Sequence, residues 1–377
     1  MSAIPFNKPF IVGDELDYMA RAVRDGQLAG NGAFTKKCEA WMQDTFGAKR
    51  VLLAHSCTAA LEMAAVLADI GPGDEVIMPS FTFVSTANAF VLRGARMAFV
   101  DVRKDTFNLD ESLIEQAITD RTKAIVPVHY GGVACAMDCI MTVAREHNLL
   151  VIEDAAQAVT AKYRDEYLGT IGHLGAYSFH ETKNFISGEG GALAVNDARM
   201  IERAEIIRDK GTNRAGFFRG EVDKYTWVDV GSSYLPSELV AAFLYAQLEK
   251  ADVITLKRER IHDYYAERLA GLLANGKLST QQVPPEAKHN AHLFCILTEE
   301  AETRDRLLHF LRQNGIHAVF HYVPLHSSPM GERCGYRAGD LPVTENVSAR
   351  LIRLPCYFEL TRADQDRVVD AIQAFFE

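Results

Sequence analysis

The sequence predicts an α/β fold in two parts, a large domain built on a mainly parallel mixed sheet and a smaller α+β domain after it. Two observations carry this. Between Val51 and Val195 short apolar runs alternate with helical patterns, the rhythm of βαβ units whose sheet is covered on both faces. Further on, Gly276 and the pair Pro284–Pro285 interrupt a long helical stretch, and a shorter mixture of strands and helices follows. The predicted boundary falls near residue 250, giving parts 1–250 and 251–377.

Each element follows from local pattern. Strands are expected at Glu75–Met78, Met97–Val102, Ala124–Val128, Leu149–Glu153, Ala176–Phe179 and Gly191–Val195, where apolar and β-branched residues cluster. Helices are expected at Ala59–Asp69, Asp110–Ile118 and Ala136–Glu146. A long helix begins near Ser237 and runs through Lys250, and a charged one spans Arg258–Leu272. The second part should hold a strand at His292–Leu297, a helix at Arg304–Asn314, a strand at Ala318–Tyr322 and a final helix at Arg362–Phe376.

Composition narrows the function. A net charge of −10 argues against nucleic acid as a partner. No stretch approaches the roughly 18 apolar residues of a membrane span. The opening residues lack the apolar core of a signal peptide, so a cytoplasmic location is expected. The 7 cysteines show no zinc spacing and read as small buried residues, with no metal site expected.

Four local patterns carry chemistry. Ser56-Cys57-Thr58-Ala59 leads from a strand into an alanine-rich helix, whose N-terminal N–H groups suit a phosphate; taken alone, a plain N-cap by Ser56 or Thr58 is the commoner arrangement. Glu153 and Asp154 end an apolar strand, where open α/β sheets bind ligands. An acid there can keep a cofactor ring nitrogen protonated, with Gln157 one turn on; it can also simply cap a helix. Lys183 lies in a loop after the strand ending at Phe179, beside Gly188-Glu189-Gly190-Gly191. Glycines permit close backbone approach, and a desolvated lysine amine is reactive. Met78-Pro79-Ser80-Phe81-Thr82-Phe83 follows another strand and offers an aromatic ring for stacking or for the core.

Together these segments resemble the DegT-type family of sugar aminotransferases. The match runs from Ile4-Pro5-Phe6 through the four patterns to His321-Tyr322-Val323-Pro324-Leu325-His326. The resemblance implies the aspartate-aminotransferase architecture (fold type I), pyridoxal 5′-phosphate (PLP) as cofactor, and a homodimer with each active site at the interface. It assigns Lys183 as the Schiff-base lysine, Asp154 to the pyridinium nitrogen, Gln157 to the ring oxygen, and Phe83 to stacking. Thr58, Ala59 and Ser178 would bind the phosphate, and Ser233 would reach it from the partner subunit.

The substrates implied are a TDP-linked 4-keto-6-deoxy sugar and L-glutamate, which leaves as 2-oxoglutarate. Relatives that aminate C3 tend to carry tyrosine where His180 stands, so His180 favours C4. Many relatives have Tyr-Asn-Tyr-Arg where this chain reads Ser232-Ser233-Tyr234-Leu235. A leucine cannot bind an anion, so anion recognition passes to Arg214, Arg219 or Lys224, with His326 approaching the sugar. A C3-specific or UDP-sugar enzyme, or a PLP-binding sensor without turnover, are the alternatives. A dinucleotide-dependent oxidoreductase lacks its G-x-G-x-x-G turn here.

Overall fold

The computed structural model describes residues 2–377. Helices α1 (Glu15–Arg24) and α2 (Ala33–Phe46) precede strand β1 (Arg50–Ala54), helix α3 (Cys57–Leu67), β2 (Glu75–Pro79), α4 (Val84–Val91) and β3 (Arg96–Val100). Then come β4 (Thr122–Ile125), α5 (Met137–Glu146), β5 (Leu150–Asp154), the hairpin β6 (Lys162–Tyr163) and β7 (Glu166–Tyr167), β8 (Leu174–Ser178) and β9 (Gly191–Val195). Helices α6 (Ile201–Arg208), α7 (Arg214–Arg219), α8 (Glu238–Glu249), α9 (Ala251–Arg268) and α10 (Ala270–Ala274) lead to β10 (Leu278–Thr280), β11 (Ala287–Lys288) and β12 (Phe294–Thr298). The chain ends with α11 (Ala301–Gln313), α12 (Pro329–Arg333), α13 (Pro342–Arg350), β13 (Leu351–Leu354) and α14 (Arg362–Phe376).

The central sheet has seven strands in the order β1-β9-β8-β5-β4-β2-β3. Pairings from β3 across to β8 are parallel, and β9 runs antiparallel to both β8 and β1. The sheet is therefore mixed and mainly parallel, as expected. Strands β2, β8 and β9 are buried along their whole length, which is why they read as continuous apolar runs rather than as alternation. One face packs on α3 and α4, the other on α2, α5 and α8.

A second core gathers α9, α11 and α14 against the three-stranded antiparallel sheet β10-β12-β13. Its composition departs from a simple split near residue 250. Ile4 is buried within it, and the N–H of Ile4 donates to Gly315 O at 2.8 Å. The opening residues thus belong with the C-terminal core.

Two predicted elements differ. Asp110–Ile118 forms two short 3-10 turns, Glu111–Leu113 and Glu115–Ala117; Asp110 accepts from the N–H of Ser112 and starts the first. Ala318–Tyr322 makes one bridge, Val319 to Arg353, instead of a strand. The chain then turns away, carrying His321 and Tyr322 to a cavity wall.

Candidate active site

The C-terminal ends of β2, β5 and β8 open on a cavity of about 410 Å³. Lys183, Asp154, Ser178, Thr58, Phe83 and His180 all line it. Four segments distant in sequence supply these side chains, and the parallel strand order brings them together.

Alternation along β5 separates its two terminal acids. Glu153 points away from the cavity and is fully engaged. Its carboxylate accepts from Gly169 N (2.6 Å), Ile171 N (2.8 Å), Gly172 N (2.6 Å) and His129 Nε2 (2.9 Å). His129 Nδ1 accepts from Cys135 N at 3.2 Å, so the ring proton sits on Nε2. Asp154 faces the cavity. Its Oδ1 accepts from Ala156 N (3.1 Å) and its Oδ2 from Thr86 Oγ1 (2.7 Å). Because Thr86 spends its proton on Asp154, the 2.7 Å contact between Thr82 and Thr86 has Thr82 as donor. Two buried hydroxyls in series thus hold the carboxylate.

Lys183 sits in a pinned loop. Its N–H donates to His180 O at 2.8 Å, and the neighbouring Asn184 side chain is tied to Asn290 O and to His292 Nδ1. Burial pushes the Lys183 ammonium below its ordinary value, while the nearby Cys57 and Asp154 pull it back up. None of the influences on this amine is a side-chain hydrogen bond.

The N-terminus of α3 closes another wall. Ser56 Oγ accepts from Ala59 N at 3.0 Å, so the capping residue is Ser56. That bond engages the Ala59 N–H expected to meet a phosphate. The N–H groups of Cys57 and Thr58, first in the helix, have no partner within it. Thr58 Oγ1 lies 2.7 Å from Ser85 Oγ. Gly191 lies so near that a Cβ there would come within 2.3 Å of the Ser56 carbonyl carbon. Glycine is therefore required where β9 passes this turn.

Other expectations are corrected. His326 does not line the cavity. It is fully buried, with Nδ1 2.7 Å from Ser80 Oγ and Nε2 2.8 Å from Glu345 Oε1, so it ties β2 to the C-terminal segment. Arg219 lies outside the cavity in ion pairs with Glu205 (2.7 Å) and Glu221 (2.8 Å). Arg214 packs on Phe218, and Lys224 is also absent from the lining; Ser233, expected at the partner subunit's phosphate, lies outside this chain's own cavity. Gln157 does line the cavity, but its amide bonds Gly131 N (2.7 Å) and Tyr322 Oη (2.9 Å). It braces the wall from that position.

Sequence reasoning missed several lining residues: Thr86, His292, His321, Tyr322 and Arg353. Burial holds both histidines well below the ordinary imidazole range, so they stand neutral. The one available signal was Arg353, a lone charge inside the apolar run Leu351–Leu354.

The residues fit a PLP group. A partner-free amine, an acid braced by hydroxyls and a helix N-terminus with hydroxyls share one cavity, matching the aldehyde, ring nitrogen and phosphate of that cofactor. Fold and cavity together define a fold type I PLP-dependent transferase. The chain belongs to the DegT/DnrJ/EryC1/StrS aminotransferase family, whose model matches residues 9–373, and it is a PLP-dependent sugar aminotransferase. It is 36% identical over 370 residues to GDP-perosamine synthase of Caulobacter vibrioides, covering 97% of this chain and 96% of that one. It is 33% identical to the spore coat polysaccharide biosynthesis protein SpsC of Bacillus subtilis, covering 98% and 96%. Among solved structures, the sugar aminotransferase Spr1654 of Streptococcus pneumoniae in its PMP form superposes with a TM-score of 0.92 at 25% identity, covering 99% and 97%. No helix among the described residues is long and apolar enough to cross a membrane.

Proposed function

We propose that this enzyme transfers the amino group of L-glutamate to C4 of TDP-4-keto-6-deoxy-D-glucose. The product is TDP-4-amino-4,6-dideoxy-D-galactose, a precursor for surface glycans such as enterobacterial common antigen. The observation that carries the transamination is the partner-free Lys183 amine facing Asp154 across one cavity. The choice of C4 rests on His180. Its Nδ1 accepts from Thr182 N at 3.2 Å, and its ring lines the cavity mouth.

Bound PLP supplies an electron sink for the pair left behind when a proton leaves the carbon next to nitrogen. Lys183 then takes that proton at Nζ and returns it, as general base and acid. Its desolvated amine suits the task, because the neutral form is more accessible than on an exposed lysine. Asp154 keeps a proton on the ring nitrogen, and Thr86 keeps Asp154 aimed. Ser178, Thr58 and the first N–H groups of α3 hold the phosphate, and Phe83 covers the ring. The donor leaves as 2-oxoglutarate, and the same residues run the sequence backwards on the keto sugar. Two half-reactions in one cavity predict ping-pong kinetics.

A second subunit completes this reading. Phe83 and Leu92 are 58% and 70% exposed, and Trp227 is 79% exposed. Apolar surface this exposed suits an interface, and Phe83 also lies on the cavity lining. In this reading Ser233, Arg214 and Lys224, which lie outside this chain's own cavity, serve the partner's.

Incubating the enzyme with L-glutamate and a panel of TDP-, UDP- and GDP-linked 3-keto and 4-keto sugars, followed by NMR of products, tests the assignment. Turnover confined to a 3-keto or non-TDP sugar would overturn it. A GDP-linked sugar is the second reading, favoured by the 36% identity to GDP-perosamine synthase.

A further inference from the structure

Arg258, on α9, is a buried cation that no ligand contact accounts for. It is 2% exposed and lies outside the cavity lining. The polar atoms that its Nε and Nη2 reach are all neutral. Nε donates to Ala291 O at 3.1 Å, Nη2 donates to His292 O at 2.5 Å, and Nη2 lies 3.6 Å from Cys356 Sγ. Burial pushes the Cys356 thiol up, so the sulfur carries no charge. Burying a charge is costly unless its N–H groups find acceptors. An apolar side chain would fill the same space without that demand. The guanidinium adds one thing over such a side chain, a planar fork on two successive carbonyls.

Those carbonyls belong to a turn that touches both cores. Ala291 holds a left-handed φ of 51°, which a side chain disfavours and which surrounding bonds must maintain. Its N–H donates to His289 Nδ1 at 3.1 Å. From the turn, the Asn290 side chain donates to Gln157 O (3.0 Å) and Val159 O (2.7 Å), just after β5. Asn184, the neighbour of Lys183, meets the turn from the other side. Its Nδ2 donates to Asn290 O at 2.8 Å, and its Oδ1 lies 2.9 Å from His292 Nδ1. Because the Asn184 amide nitrogen faces a carbonyl, its oxygen accepts, and His292 carries its proton on Nδ1. Three residues thus join α9 to the loop that presents Lys183. The Lys183 N–H is held on His180 O at 2.8 Å, whereas its amine is under no side-chain hydrogen bond. The loop backbone therefore sets where that amine stands.

We propose that Arg258 is a positioning residue for Lys183, acting through the Ala291 and His292 carbonyls and then through Asn184. It keeps the lysine loop in register with the C-terminal core, so that the amine takes and returns its proton at one place. The loop placement rests on Lys183 as the cofactor lysine, and the effect on rate rests on the transaminase reading above.

Amide hydrogen exchange on apoenzyme and single-turnover conversion of L-glutamate by holoenzyme test this in Arg258→Met, Arg258→Lys, Asn184→Ala and the double variant Arg258→Met/Asn184→Ala. Arg258→Met keeps the volume and loses the fork. Exchange across residues 180–187 should rise about tenfold in Arg258→Met and in Asn184→Ala, the equivalent of one lost hydrogen bond, while α3 keeps its wild-type protection. The turnover rate should fall about tenfold in both, with the apparent dissociation constant for L-glutamate within about threefold of wild type. Because the two residues act along one path, the double variant should be within about twofold of the slower single one. Arg258→Lys, which keeps the charge without the fork, should lie between Arg258→Met and wild type. It carries the test alone should Arg258→Met fail to fold. Wild-type exchange in the lysine loop of the Arg258 variants, or rate losses that multiply in the double variant, overturn the proposal. A wild-type holoenzyme that keeps its long-wavelength absorbance yet is inert toward L-glutamate refutes the donor reading instead, and the exchange result still decides the role of Arg258.

Discussion

At the scale of single residues, the cavity shows why one acid of a pair does chemistry and its neighbour does not. Glu153 is saturated by three backbone N–H groups and His129, so it braces the loop at Gly169–Gly172. Asp154 keeps one side open to the cavity. The Thr82–Thr86 relay is the support it depends on. Thr86→Val should lower kcat about tenfold, the effect of one lost hydrogen bond to a charged group, and Thr86→Ser should restore it. Steady-state kinetics on the two variants decides this; equal impairment would make the methyl packing, and not the hydroxyl, responsible. Lys183→Ala should abolish turnover and the long-wavelength absorbance of the holoenzyme. Retention of that band would remove Lys183 from its assigned role.

At the scale of elements, the junction of α2 and α8 has an unusual organisation. Glu238, in the first turn of α8, accepts from Gly32 N (2.8 Å), Phe34 N (2.8 Å) and Thr35 N (3.2 Å), and from the Thr35 hydroxyl. It thereby caps α2 from another helix, and its negative charge meets the positive end of the α2 dipole. Glu238→Ala leaves those donors buried and unpaired, and should cost on the order of 3 kcal/mol. Urea unfolding measures it; a change below about 0.5 kcal/mol, the surface-substitution range, would mean water replaces the carboxylate. His326 plays a comparable part between β2 and α13 through Ser80 and Glu345.

At the scale of the whole molecule, buried and half-buried histidines tie stability to pH. Burial lowers the His262 imidazole to about 3 from an ordinary 6.5, and His289, His292 and His321 move in the same direction. The unfolded chain therefore binds protons that the folded chain refuses. Stability is full above pH 6.5 and falls as pH drops from there toward about 3, at up to about 1.4 kcal/mol per pH unit for each such group. Thermal midpoints across that window should decline steadily, and His262→Gln should shallow the slope. A flat profile would contradict the burial of neutral rings. The exposed Phe83, Leu92 and Trp227 make a second prediction at this scale: the solution mass should be twice the 41.8 kDa of the chain. A monomer by light scattering would leave Ser233 and Arg214 without a site.

Much of this molecule is local in origin and could be read along the chain. Ser56, Ser237 and Thr361 each cap the helix that follows them, because a short hydroxyl side chain satisfies N–H groups two or three residues on. The buried strands announced themselves as apolar runs, Asp154, Thr58 and Ser178 stood at strand or helix ends where an α/β sheet gathers ligands, and Lys183 stood in the loop after one of them. Which side chains complete the cavity was decided only by tertiary structure. Arg353, His321 and Tyr322 come from the C-terminal core and meet Lys183 across long sequence separations, so no periodicity or spacing records the encounter. The same holds for what His326 and Arg219 became. A histidine or arginine takes its role from the partner it finds, and Ser80, Glu345, Glu205 and Glu221 claimed these two before any ligand could. Local pattern sets the direction of a backbone and the start of a helix. Burial, and the identity of the groups that remain unpaired inside it, is a property of the assembled chain.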